Sequence, residues 1–242
     1  MGRVGRPWDA RPGNTEIADT PRVRTRVRTL EYDRPVDFQS TLFGASAAAA
    51  LGFDAVERHE LSAGAWVDVA RGWLPEADQV FSTMVEEVPW RAERRRMYDR
   101  VVDVPRLVYT YMIGEDLPHP ALTAAREALS DHYLPELGEP FRTAGCCYYR
   151  DGRDSVAWHG DTIGRGSTDD TMVAIVSVGD PRRLALRPRD RVDGSGSLSF
   201  EMGHGDLLVM GGSCQRTWEH AVPKVASAGP RLSVQFRPLN VF

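Results

Sequence analysis

Hydrophobic residues change their period once along this chain, near Gly138. Before that point Ala77, Val80, Phe81, Met84 and Val85 recur at helical spacing. Leu74-Pro75-Glu76 opens the stretch and Pro89 ends it, so the spacing predicts a helix between them. A second helix is expected over Ala121 to Tyr133, introduced by Pro120 and stopped before Pro135. After Gly138, short β-type runs alternate with Gly, Asp and Pro: AGCCYY, TMVAIVSV, RRLALRP, GSLSFEM, GDLLVMG and PRLSVQF. Strands at this spacing, with turn residues between them, predict a barrel or jelly roll rather than βαβ units. The expected class is α+β, with helices ahead of a C-terminal β-barrel. Residues 1–38, rich in Arg, Pro and Thr, read as a disordered or loosely held arm. Residues 39–65 read as a linker and 66–242 as the folded domain.

Composition changes this picture little. At 242 residues the chain can bury a sizeable core, and 42% hydrophobic with 26% charged residues is ordinary for a globular protein. The net charge of −4 advertises no polyanionic partner. Arginine clusters at Arg22 to Arg28, Arg91 to Arg96 and Arg182 to Arg191, with Lys224 the single lysine, permit contact with phosphate or carboxylate without requiring it. Cys146, Cys147 and Cys214 form no disulfide framework and no CxxC spacing, which fits a reducing cytoplasm. The opening residues MGRVGRPWDARPG lack an apolar signal region, and no run is long enough to span a bilayer. A cytoplasmic monomer without membrane contact is expected.

Candidate chemistry centres on His159-Gly160-Asp161. On an extended segment residues i and i+2 point the same way, so imidazole and carboxylate can reach one point. Two histidines and one carboxylate leave positions open for an oxygen-activating iron. His220, in WEHAVP and about sixty residues further on, is preferred as third ligand over His204, which sits in the turn GHGD. His59, His119 and His132 read as surface or capping residues. The triplet alone is better explained by a strand-end His and Asp making turn hydrogen bonds. The closing run Arg231-Leu232-Ser233-Val234-Gln235-Phe236-Arg237 adds weight, because Arg231, Ser233, Gln235 and Arg237 share one face of a strand. An edge strand with a wet face would show this pattern; inside a barrel, the arginines would need an anion such as a dicarboxylate.

The ordered blocks YYRDGRDSVAWHGD, VSVGDPRRLALRPR, GDLLVMGG, WEHAVPK and PRLSVQFR resemble the AlkB family of iron(II)- and 2-oxoglutarate-dependent dioxygenases, over about residues 66–240. The resemblance implies a double-stranded β-helix (a cupin-like jelly roll) behind a nucleotide-recognition lid. It implies Fe(II) on His159, Asp161 and His220, with Arg231 on the distal carboxylate of 2-oxoglutarate. Tyr149, Ser233 and Arg237 join Arg231 as co-substrate residues. It further implies oxidative dealkylation of N-alkylated bases in DNA or RNA, consuming dioxygen and releasing an aldehyde, succinate and carbon dioxide, with the target base out of the stack. The lid would lie between Trp90 and Tyr111, with Met97, Tyr98, Tyr109 and Tyr111 as stacking candidates and Arg95 among the phosphate contacts. Four positions depart from the family pattern. Ser233 and Gln235 replace Asn and Thr of the closing motif, Cys147 stands where asparagine is common, and Ile163 replaces an acidic residue near the base. Ile163 keeps a hydroxylase or demethylase of a non-nucleic-acid substrate in view, and a cupin-like binding module is a third reading. Gln39, Leu42 and Phe43 resemble the Q-x-x-L-F peptide that docks bacterial repair proteins on the sliding clamp.

Overall fold

Alternating burial along the strands divides this protein into two hydrophobic cores on either side of one large sheet. The computed structural model describes residues 51–97, 100–190 and 196–241. In chain order the elements are β1 (Glu57–Glu60), β2 (Ala65–Ala70), α1 (Ala77–Glu87), β3 (Arg91–Met97), β4 (Arg100–Tyr111), α2 (Pro120–Leu137), β5 (Thr143–Tyr149) and β6 (Val156–His159). Then come β7 (Val173–Gly179), β8 (Arg182–Pro188), β9 (Leu198–Met202), β10 (Asp206–Gly212), α3 (Cys214–Thr217), β11 (Trp218–Val222) and β12 (Arg231–Arg237). Eight strands pair in the order β1-β2-β10-β7-β12-β5-β4-β3, and four in the order β6-β11-β8-β9. Every pairing is antiparallel. The two sheets share a core containing Val69, Ile175, Leu186, Met202, Leu208 and Trp218. This is the double-stranded β-helix that the strand spacing and the family resemblance predict.

The opposite face of the large sheet is covered by the helices. Leu207, Val209, Leu232, Val234 and Phe236 join Val80 and Met84 of α1 and Leu122 and Leu129 of α2 in a second cluster. The buried residues of α2, Leu122, Ala125, Leu129 and Tyr133, recur at helical spacing. His119 caps it by accepting from the Ala121 amide at 3.2 Å, and Pro120 occupies the first turn. The helix does not stop before Pro135 but runs through it to Leu137. A proline in the last turn forfeits one intrahelical bond, and Gly138 in the left-handed region (φ 77°) closes the end by donating to Leu134.

Two other stretches contain strands that the sequence reading did not assign. The segment assigned to a linker contains β1, whose Glu60 pairs with Trp66 of β2. The stretch assigned to a lid is a hairpin, β3 on β4, that continues the large sheet at its end. Gln39, Leu42, Phe43 and Tyr98 lie outside the described residues.

Candidate metal centre

Strand register assembles the site. His159 is the last residue of β6, and the β6–β11 pairing places His220 directly opposite it, so both imidazoles leave the same face. Their ring centroids are 4.2 Å apart. The chain then turns as the Thr162 amide donates to the Gly160 carbonyl at 2.8 Å, and Gly160 lets the backbone pass close to Gln215, whose carbonyl oxygen a Cβ would strike. Asp161, buried beyond that turn, presents Oδ1 at 3.8 Å from His159 Nε2. One ligand atom from each of His159, Asp161 and His220 lies within 4.8 Å of the others. The structure leaves His204 elsewhere: its Nδ1 accepts from the Gly179 amide at 2.9 Å and its Nε2 faces Asp78.

Neighbouring groups set the protonation states a metal needs. His159 Nδ1 lies 2.9 Å from the Ala157 carbonyl oxygen, which can only accept, so Nδ1 carries the proton and Nε2 the lone pair. Burial, reinforced by the adjacent His159, pushes His220 down to about 3, leaving it neutral at neutral pH. Burial alone would raise the Asp161 carboxyl, but Arg237 and the two imidazoles outweigh it and hold it at about 2. With His220 neutral, Arg237 supplies the persistent charge. Its Nε donates to Asp161 Oδ2 at 2.8 Å, which leaves Oδ1 directed at the histidines.

A second polar group lies along the same face of the large sheet. Arg231 is 2% exposed, and its Nε donates to Ser177 Oγ at 2.9 Å. Its Nη1 is buried without a hydrogen-bond partner, and no described carboxylate forms an ion pair with it. Burial pushes its pKa down, opposed by Tyr149, whose ring centroid lies 5.1 Å from the guanidinium carbon. Burial likewise pushes Tyr149 up to about 12, so its phenol stays protonated. Ser233 is buried opposite Cys147 and Ser177 on the neighbouring strands. Because β12 lies between β5 and β7, the wet edge strand considered from the sequence does not occur. A buried guanidinium with an unmatched donor fits a carboxylate ligand.

A cavity of about 1120 Å³ opens over this centre, with His159, Asp161, Gln235 and Arg237 in its wall. Tyr109 borders it, and its ring also packs in the helix-side cluster against Tyr111 at 4.9 Å. Tyr111 is buried in that same cluster. On β4 it is Val108 that pairs with inward-facing Cys147, so Tyr109 and Tyr111 belong to the opposite face. The structure therefore does not bring the Tyr111 ring to the cavity, whereas Tyr109 is among the residues that border it. Arg95 and Met97 lie on β3, and their side chains are outside the described part. The residues that do line the cavity, and that the sequence reading passed over, include Arg106, Trp158, Arg183 and Lys224. Adjacency to His159 is the sequence signal for Trp158; Arg106 has none, because its place follows from the β4 register on β5.

Known proteins with related sequences supply the remaining context. The family model of the 2OG-Fe(II) oxygenase superfamily matches residues 68–237. The alpha-ketoglutarate-dependent dioxygenase alkB homolog 3 of Bos taurus is 30% identical over 181 residues, covering 68% of this chain and 62% of that protein. Its Homo sapiens counterpart is 29% identical over 181 residues with the same coverage. The DNA oxidative demethylase ALKBH2 of Arabidopsis thaliana is 27% identical over 191 residues, covering 65% of this chain and 60% of that one. The chain thus spans about three fifths of the length of these curated relatives. A solved structure described as that of OsALKBH1 aligns with 74% of this chain at 15% identity, with a TM-score of 0.49, too low to carry weight. No helix among the described residues is long and apolar enough to cross a membrane. The matched region takes in both the histidine–aspartate cluster and the buried Arg231, and the chain belongs to the AlkB family of the 2OG-Fe(II) oxygenase superfamily, which works with Fe(II), 2-oxoglutarate and dioxygen.

Proposed function

We propose that this chain binds Fe(II) through His159, Asp161 and His220, binds 2-oxoglutarate through Arg231, Tyr149, Ser233 and Arg237, and oxidatively dealkylates N-alkylated bases in nucleic acid. Arg231 carries the reading, because a buried guanidinium with an unpaired Nη1 has the geometry of a carboxylate receptor and no evident structural use. When bound, iron and 2-oxoglutarate supply the oxidation of a C–H bond by dioxygen, with succinate and carbon dioxide as co-products. The protein's own contribution is orientation. Arg237 occupies one oxygen of Asp161, so the carboxylate offers the other as a single-point ligand. The Ala157 carbonyl keeps the lone pair of His159 on Nε2. Hydroxylation of an N-alkyl carbon produces a hemiaminal, which breaks down to an aldehyde and the free base without a further catalytic group.

Nucleic acid as substrate is supported by the printed function of a relative, a DNA oxidative demethylase, and by the cavity's exposed cations Arg183 and Lys224, which suit phosphates. The sliding clamp as a partner through Gln39, Leu42 and Phe43, the monomeric state and a cytoplasmic location belong to this proposal on sequence grounds alone. The test supplies iron, 2-oxoglutarate and methylated single-stranded DNA, duplex DNA or RNA, and follows formaldehyde and succinate together. Stoichiometric formaldehyde from one of these, abolished in Arg231→Met, is the expected result. Succinate formation that no nucleic acid stimulates would favour the second reading, a hydroxylase of another substrate, to which the exposed apolar Ile163 lends support.

A further inference from the structure

The mouth of the cavity is unusual in where it exposes hydrocarbon and where it places charge. Among the described residues seven large hydrophobic side chains are exposed, and three of them, Trp158, Ile163 and Leu198, line this one cavity. Ile163 is the most exposed, at 68%, and follows Asp161 by two residues. Isolated exposed hydrophobics need no explanation, whereas several around one concavity mark a binding surface.

The charges sort differently. The described lining carries two carboxylates, Asp161 and Glu93. Asp161 is held by Arg237, and Glu93 lies in the field of Arg106. Arg183 and Lys224 are exposed on the same wall, and neither forms an ion pair with a described carboxylate. The indole of Trp158 already carries a cation: the Arg187 guanidinium sits 4.2 Å from its ring centroid, anchored by Glu219 at 2.7 Å. A positively charged ring entering this mouth would meet apolar surface and the exposed cations Lys224 and Arg183, the latter opposite Glu201 across β8–β9, while the carboxylate of Asp161 is already engaged by Arg237. A neutral ring on a polyanion would meet apolar contacts for the ring and Arg183 and Lys224 for the phosphates.

We propose that the mouth formed by Trp158, Ile163 and Leu198 beside Arg183 and Lys224 selects an uncharged N-alkylated base on a phosphate backbone over a cationic one. This rests on the nucleic-acid reading above and adds the substrate's charge. The test uses the full chain with iron and 2-oxoglutarate, and two pairs of single-stranded oligonucleotides differing at one base. 3-Methylthymine is compared with cationic 3-methylcytosine, and 1-methylguanine with cationic 1-methyladenine. The neutral member of each pair is expected to show kcat/KM higher by about tenfold, the size of one missing charge-assisted contact. Ile163→Asp is expected to narrow or invert that ratio, whereas Ile163→Asn, of the same shape without the charge, is expected to preserve it. Preference of the parent for the cationic bases overturns the inference while leaving the function standing, and so does an equal effect of the two variants. Failure of all four oligonucleotides while succinate still forms overturns the nucleic-acid reading, and this inference falls with it.

Discussion

Arg231 bears in opposite directions on folding and on the proposed binding of 2-oxoglutarate. Its guanidinium is among the largest fully buried side chains, and Ser177 and Tyr149 are too few partners for its five donors. Removing a buried charge that lacks a counter-ion is neutral or favourable to folding, whereas a carboxylate ligand would lose its receptor. Arg231→Met is therefore expected to leave the metal-free protein at least as stable as the parent in urea titration. The same variant should weaken 2-oxoglutarate binding, measured calorimetrically with Mn(II) in place of iron, by about 2–5 kcal/mol. A loss of folding stability in the variant would mean that Arg231 serves the fold instead. Residue identity by itself carried much of this: an arginine on alternate positions with Ser233, Gln235 and Arg237 is visible in the sequence. Its burial was not visible, because alternation separates two faces without saying which one is covered.

Among elements, the contact of β10 with β2 is the most sensitive to a single atom. Gly211 pairs with Trp66 across the two strands, and the indole lies where a Cβ on Gly211 would stand. Trp66 is fixed from the other side by the Arg58 guanidinium, 3.8 Å from its ring centroid, and by the stacked ring of Tyr133. Gly211→Ala is expected to cost about 1–3 kcal/mol through overpacking and to shift the tryptophan emission. Gly196→Ala, with open space around its Cβ, should change neither. The C-terminal strands and α1 were legible as elements because their apolar residues repeat at the right period. The strands β3 and β4 were not: RAERRRM has no apolar alternation, and Pro105 interrupts RVVDVPRLVYTY. They exist because β5 offers β4 an edge to pair with, a contact between distant parts of the chain. The run of α2 through Pro135 has the same character, since packing of Tyr133 and the Gly138 cap outweigh one lost bond.

At the level of the whole molecule, the site joins the two sheets. His159 and His220 come from the four-stranded sheet, while Arg231 and Arg237 come from the eight-stranded one. Ligands that bridge them should stabilise the native state by mass action, about 2.7 kcal/mol at a hundredfold excess over Kd. Mn(II) with 2-oxoglutarate is thus expected to raise Tm on the order of 5–10 °C in thermal unfolding of the parent. His220→Ala should abolish most of that shift, and an undiminished shift would place the metal elsewhere.

The sequence by itself determined the chemistry available here: an HxD pair able to reach one point, a later histidine, and two arginines on one face of the last strand. Those properties depend on residue type and on local period, which are written in the chain. Tertiary structure decided how the cluster closes, since His220, which the sequence already favours over His204, meets His159 only through the β6–β11 register. It also decided that Tyr111 turns toward the helices and that Arg231 lies between two strands rather than at an edge. The reason is common to all three. A strand's period defines two faces, but pairing with partners far along the chain selects the one that faces the site.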